Sequence, residues 1–157
     1  MKMITREELI GKLKERGFKI TPQRLAIVNV LVKRGHLHPG ANLILEEARK
    51  KTERVSLSTV YATLGELSQQ GLIKNLEFDQ LENRCEVNLE EHINLVCKLC
   101  GKITDYHIPP SLEPKDIARE AGFIVTDARM EYYGYCRNCT TLPKRAHAGR
   151  QIQDENA

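Results

Sequence analysis

The 157 residues, 41% hydrophobic and 29% charged, allow one domain or two small ones, and a second domain of that size would need a staple such as a bound metal. With neither a signal peptide nor a long apolar run, the sequence excludes a membrane-spanning helix and is expected to belong to a soluble, cytoplasmic protein. The net charge of +3 hides a split: residues 1–77 carry 14 Lys/Arg against 8 Asp/Glu, and residues 78–157 carry 10 against 13. A basic front half suits an anionic polymer and an acidic back half suits cations, although an ordinary solvated surface accounts for the same numbers.

Thr5-Arg6-Glu7-Glu8 is a capping box, and Leu9, Ile10 and Leu13 follow at helical spacing until Gly17, predicting a short amphipathic helix. Thr21-Pro22 starts a second helix, with an apolar stripe of Leu25, Ile27, Val28, Leu31 and Val32 that Gly35 ends. His38-Pro39-Gly40 opens a third, continuing through Leu43, Ile44 and Ala48. Ser56 caps a fourth, with Val60, Tyr61, Leu64 and Leu67 inward and Gly71 as its stop. Tyr61 on this helix reads either as a core aromatic or as part of an exposed first turn with Ser56, Ser58 and Thr59. Residues 72–78 and 84–87 then read as two strands joined by a polar turn at 79–83.

Short helices followed by a hairpin spell a winged helix-turn-helix over residues 1–88, with the fourth helix as reader. Hydroxyls and an aromatic at its start suit phosphates and thymine methyls, and Lys19, Arg24, Arg49, Lys50, Lys51 and Arg54 lie around it. A helical domain that binds another protein is the competing reading.

From residue 89 the pattern turns to strands, at 93–97, 102–107 and 123–133, with a helix at 114–121. These predict a small antiparallel sheet in an α/β domain over residues 89–139. Its uncovered edges and face favour pairing with a second copy. The tail from Thr140 is nearly free of apolar residues and is expected to be disordered.

Two cysteine pairs punctuate this half: Cys97-Lys98-Leu99-Cys100, followed by Gly101, and Cys136-Arg137-Asn138-Cys139, shortly after Gly134. Two such knuckles suit one structural zinc held by four thiolates, with two disulfides or a dithiol redox centre as the alternatives. Cys85 belongs to neither pair and reads as a small, partly buried hydrophobe.

His38, Glu86, His92, Asn94 and Asp105 fall at element boundaries and form a candidate second metal site. His92 and Asn94, two residues apart, share one face of a strand. Mixed nitrogen and oxygen donors suit Fe(II), Mn(II) or Zn(II), and the amide and carboxylates favour the harder ions. Singly, each has an ordinary reading as a solvated charge or a helix-start neighbour. A metallohydrolase built on the same residues lacks an H-E-x-x-H helix and an evident general base, so no catalytic role is assigned.

The run Gly17-Phe18-Lys19-Ile20-Thr21-Pro22-Gln23-Arg24, the His38-Pro39 start, Ser58-Thr59-Val60-Tyr61, Gly71-Leu72-Ile73, His92, Cys97-x-x-Cys100-Gly101 and Gly134-x-Cys136-x-x-Cys139 together strongly resemble the ferric uptake regulator family, in order, over residues 6–139. The resemblance implies a homodimeric, metal-dependent repressor that binds an AT-rich inverted repeat of operator DNA. It places structural Zn(II) on Cys97, Cys100, Cys136 and Cys139, and the regulatory metal, Fe(II) or Mn(II), on His38, Glu86, His92, Asn94 and Asp105. It sets Lys19 toward a minor groove and Tyr61 toward bases, and Gln23, Arg24, Ser56, Ser58 and Thr59 complete the candidate DNA-binding residues.

Two residues depart from the family's pattern. Asn94 stands where a second histidine is usual, and Ala62 where an arginine or asparagine is usual. Asp105 resembles the peroxide-sensing branch, in which iron-bound histidines are oxidised, whereas Glu86 resembles the iron-uptake branch. The peroxide-sensing branch is favoured. An iron-uptake or other divalent-metal-responsive repressor is the alternative, and a zinc-stapled protein-binding adaptor a distant one.

Overall fold

The computed structural model describes residues 4–78, 81–107, 114–126 and 128–140. The chain divides into two units, Met1–Glu90 and Glu91–Ala157.

In the first unit local sequence signals set the helix ends. Thr5 caps α1 (Arg6–Glu15) in a complete capping box with Glu8, and the helix buries Leu9 and Leu13, four residues apart on one face. Gly17, at φ 79°, ends the α1 turn, where the Phe18 amide reaches back to the Leu13 carbonyl. Thr21 caps α2 (Pro22–Arg34) by accepting from the Arg24 amide. A 3-10 turn, Gly35–Leu37, leads to α3 (Ala41–Arg49), and Ser56 caps α4 (Leu57–Gln69) by accepting from the Thr59 amide. The faces these helices share pack Ile27, Leu31, Ile44, Val60 and Leu67 into one core, to which Cys85 and Val87 contribute from beyond the helices. Each fully buried leucine or isoleucine stabilises that core by about 1.5–3 kcal/mol.

A two-stranded wing follows, β1 (Lys74–Phe78) against β2 (Leu81–Glu86), antiparallel and irregular between Leu76 and Phe78. Strand β1 starts later than the sequence predicts, because Leu72 and Ile73 are drawn into the helical core, and β2 starts earlier, with Leu81 pairing Phe78. Strand β2 is also pinned to the start of α3: Gly40 bridges Arg84, and the Cys85 amide donates to the Pro39 carbonyl at 3.0 Å.

The third helix does not open at His38. That residue ends the 3-10 turn in the left-handed region, φ 49°, a conformation uncommon for a side chain with a Cβ. The following proline disfavours the helical conformation at position 38, so α3 begins after Gly40.

The second unit is a three-stranded sheet in the order β4-β3-β5, with β3 at Ile93–Cys97, β4 at Ile103–Tyr106 and β5 at Met130–Gly134. It is mixed rather than antiparallel: β3 runs against β4 but with β5. The excursion through α5 (Pro114–Ala121) leaves and returns at the same end of the sheet, so β5 opposes β4 and lies parallel to β3. Residues 123–126 do not join the last strand, and Phe123 and Ile124 are exposed. A short α6 (Arg137–Thr140) closes the described chain; the rest of the tail expected to be disordered lies outside the described residues. No helix among the described residues is long and apolar enough to cross a membrane.

Candidate metal centres and nucleic-acid face

The β3–β5 ladder brings the two cysteine knuckles together. Cys97 is in register with Gly134, and the Lys98 amide extends the ladder by donating to the Gly134 carbonyl at 2.8 Å. Gly101, at φ 69°, turns the first knuckle, and its amide donates to the Cys97 carbonyl at 2.9 Å. In the second, the Cys139 amide donates to the Cys136 carbonyl at 2.9 Å.

All four sulfurs then lie within 4.8 Å of one another, and none is in a disulfide. The Cys100 and Cys136 sulfurs are 3.7 Å apart, close to the edge of about 3.8 Å that a tetrahedron with zinc–sulfur bonds of about 2.3 Å requires. The Cys136 amide points at the Cys97 sulfur, 3.3 Å away.

The electrostatics favour a cation here. Burial pushes the Cys97 thiol up, but the backbone amides of Cys100, Cys136 and Leu99 outweigh it and hold the group down to about 6. Burial, then the neighbouring cysteines, push Cys139 up to about 12. At Cys100 the Lys102 amide pulls down, while burial and the Cys97 and Cys136 side chains prevail and raise it. One thiolate forms readily and its neighbours resist, so a dication is what lets all four ionise together. The donor set fits structural zinc.

The five candidate regulatory ligands fall into two groups, one in each unit. In the first unit His38 and Glu86 are 1% and 2% exposed, and His38 Nε2 lies 2.9 Å from Glu86 Oε2. The other carboxylate oxygen of Glu86 accepts from the Asn88 amide at 2.6 Å. In the second unit Asn94 faces Asp105 directly across the β3–β4 pair, and His92 Nε2 lies 4.0 Å from Asp105 Oδ2. Asn94 Oδ1 is buried and makes no hydrogen bond among the described residues, as a carbonyl oxygen reserved for a cation would.

On its other side Asn94 is in register with Glu131 of β5, whose carboxylate accepts from Arg129 Nε and the Tyr133 hydroxyl. Asp105, Asn94 and Glu131 thus form a row across the sheet. Sequence reading did not single out Glu131, because only strand register places it there.

On the candidate DNA face, α4 buries Val60, Thr63, Leu64 and Leu67, while Tyr61 does not point inward as the apolar spacing predicts but is 56% exposed beside exposed Ser58 and Ala62. The Ser56 hydroxyl lies 2.8 Å from the hydroxyls of both Ser58 and Thr59. Lys19 is exposed and Gln23 half-buried. Arg24 is turned inward, its guanidinium bonded to Glu66 and to the Lys19 carbonyl.

A helical unit ending in a two-stranded wing, followed by a small mixed sheet bearing a four-cysteine cluster, defines a winged-helix, metal-holding class of protein. Residues 15–133 match the model of the ferric uptake regulator family, which is most of the chain. The peroxide-responsive repressor PerR of Staphylococcus epidermidis is 37% identical over 134 residues, covering 85% of this chain and 89% of the relative. Among solved structures, the ferric uptake regulator Fur of Helicobacter pylori superposes with a TM-score of 0.74 at 27% identity, covering 90% of this chain and 99% of that one. The Campylobacter jejuni peroxide stress regulator gives 0.66 at 32% identity, covering 84% and 99%. The chain therefore belongs to the ferric uptake regulator family, metal-responsive repressors.

Proposed function

We propose that this chain is a homodimeric, metal-dependent repressor that senses peroxide through Fe(II), or reports Mn(II), at a regulatory site supplied by His38, Glu86, His92, Asn94 and Asp105. The observation that carries it is the buried His38–Glu86 pair, which sits in the unit bearing α4. Its counterpart in the other unit is the His92, Asn94 and Asp105 group, with the buried, unbonded Asn94 oxygen. The PerR relatives, 35–37% identical, support the peroxide reading.

One cation taking ligands from both groups would tie the reader to the dimerising half and, as Fe(II), would activate peroxide toward an imidazole beside it with no net loss of its own electrons. The chain's residues do the rest. His38, fixed by Glu86, transmits occupancy to the wing strand and α4. Tyr61 and Ser58 meet base edges and phosphates in a major groove, and Lys19 enters the flanking minor groove. Strand β5 is an edge of the sheet among the described residues, and with Tyr132, Tyr133 and Met130 exposed it supports pairing with a second copy. Two readers so paired suit an AT-rich inverted repeat. Without the tie, operator affinity falls by a coupling energy of about 1–3 kcal/mol.

Under peroxide the imidazoles of His38 and His92 are the groups oxidised. Each gains one oxygen atom while the second peroxide oxygen leaves as water. Mass spectrometry of the iron-loaded protein after peroxide is expected to show one added oxygen on peptides containing His38 or His92, with loss of operator binding. Unmodified peptides, with binding that follows iron alone, favour the iron-uptake reading that Glu86 suggests. Indifference of binding to Mn(II), Fe(II) and salt removes the repressor reading itself.

A further inference from the structure

Arg24 belongs by charge and position to the DNA-facing set, yet its side chain is only 15% exposed. The guanidinium lies 5.4 Å from the centroid of the Phe18 ring. It donates through Nη1 to the Lys19 carbonyl at 2.5 Å and through Nη2 to Glu66 Oε2, and Nε is buried without a hydrogen bond among the described residues. The Arg24 amide meanwhile donates to the Thr21 hydroxyl. One residue thus grips the loop carrying Lys19 by main chain and side chain, and ties it to α4 five residues beyond Tyr61. A fork already holding a carboxylate, a carbonyl and a ring has little left for a phosphate.

We propose that Arg24 is a positioning residue: through Glu66 it fixes the Lys19 loop against the helix bearing Tyr61, so that both reach adjacent grooves of one duplex. The proposal rests on the DNA-binding function above. It gives Glu66, a negative charge on the reading helix, a role in favour of binding, the reverse of what its charge alone would do. The coupling is also specific to matched sites, because loose contacts to backbone need no fixed spacing between the two groups.

The test compares wild type, Arg24→Met, Glu66→Ala and the double variant, each Mn(II)-loaded and each shown folded by its melting transition. The probes are a duplex selected by the wild type from a randomised pool, and a mixed-sequence duplex, both titrated across salt. Both single variants are expected to lose about tenfold or more on the selected duplex and little on the mixed one. The double variant should lose no more than the worse single, with the slope of log affinity against log salt unchanged. Amide exchange without DNA should quicken in residues 18–21 of both single variants, while the buried amides of α2 and α4 stay protected.

Two outcomes overturn the proposal. In one, Arg24→Met lowers the salt slope by about 0.9, as loss of one phosphate contact does, while Glu66→Ala binds as tightly as wild type or tighter. In the other, exchange in residues 18–21 does not change in either variant. If the wild type selects no duplex, the repressor reading fails, and the exchange measurement still decides whether Arg24 and Glu66 hold the loop.

Discussion

His38 Nε2 and Glu86 Oε2 lie 2.9 Å apart with both side chains buried, the first in a left-handed conformation at the end of a 3-10 turn and the second on the wing strand. The bridge between Gly40 and Arg84 and the Cys85-to-Pro39 hydrogen bond hold the two segments in that arrangement. Removing His38 takes one partner from the buried Glu86 carboxylate, which keeps the Asn88 amide, so the cost is that of one hydrogen bond to a charged group, about 1.5–3 kcal/mol. His38→Ala is therefore expected to lower the melting temperature by several degrees and leave a cooperative transition. Mn(II)-dependent operator binding should disappear. Calorimetric titration with Mn(II), beside the melt, checks both, and retained metal-dependent binding removes His38 from the regulatory set.

Asn94 carries a buried carbonyl oxygen without a hydrogen bond among the described residues. An orphan of this kind destabilises the protein until something satisfies it, by about 1–3 kcal/mol. Asn94→Leu should accordingly melt at or above wild type without added metal, and gain less than wild type when Mn(II) is added. Asn94→His should raise Zn(II) affinity more than Mn(II) affinity, since imidazole suits the softer ion. Melting curves at several concentrations of each metal separate these outcomes. Equal gains for both variants and wild type leave Asn94 outside the site.

The elements that sequence made legible are those set by neighbours in the chain. The Thr5 capping box, the Thr21 and Ser56 caps and the Gly17 and Gly71 stops all act within a few residues, and α1, α2 and α4 begin where they predict. Cys-x-x-Cys spacing is local as well, and the four sulfurs converge. Register and side-chain direction are not local. Strand β5 lies parallel to β3 because of a helical excursion, and that alone sets Glu131 beside Asn94. Arg24 shows the same limit: its charge points to DNA, while its partners Glu66 and Phe18 are visible only in the fold.

The zinc-fit cluster staples only the second unit, whereas the first has its own apolar core. Structural zinc in small domains contributes about 10–16 kcal/mol of apparent binding energy, so a sheet of three short strands should not survive its loss. Cys97→Ser, or prolonged chelation under reducing conditions, is expected to abolish the near-ultraviolet signal of the tyrosines in the second unit. Most helical circular dichroism should remain, and sedimentation should shift to monomer. Loss of all helical signal in one step would show that the first unit depends on the second for folding.

Cys85 is 3% exposed, and burial, then the Glu82 charge, push its thiol up to about 12. At pH 8 the thiolate fraction is then about one in ten thousand, and access is closed as well. In the folded, zinc-loaded protein Cys85 should resist iodoacetamide, and Cys85→Ala should leave the proposed response to peroxide unchanged at a stability cost of about 1 kcal/mol. Peptide mapping after alkylation checks the first. Fast labelling at Cys85, with the zinc cysteines protected, would show that the wing opens from the core in the native state.

Gly35 is buried at the start of the turn that ends in His38, and a Cβ there would stand 2.2 Å from Val87 Cγ2. Val87 is buried, stiff at χ1 and adjacent to Glu86, so it cannot yield without moving the strand end. Gly35→Ala should cost about 1–3 kcal/mol as an overpacked site and should move Glu86 away from His38. Metal affinity then falls although no ligand has changed. The paired variant Gly35→Ala with Val87→Ala restores room for the Cβ and should recover metal affinity while leaving a small cavity. Mn(II) titration of the single and double variants decides it, and a single variant with unchanged affinity would mean that Val87 moves without carrying Glu86 along.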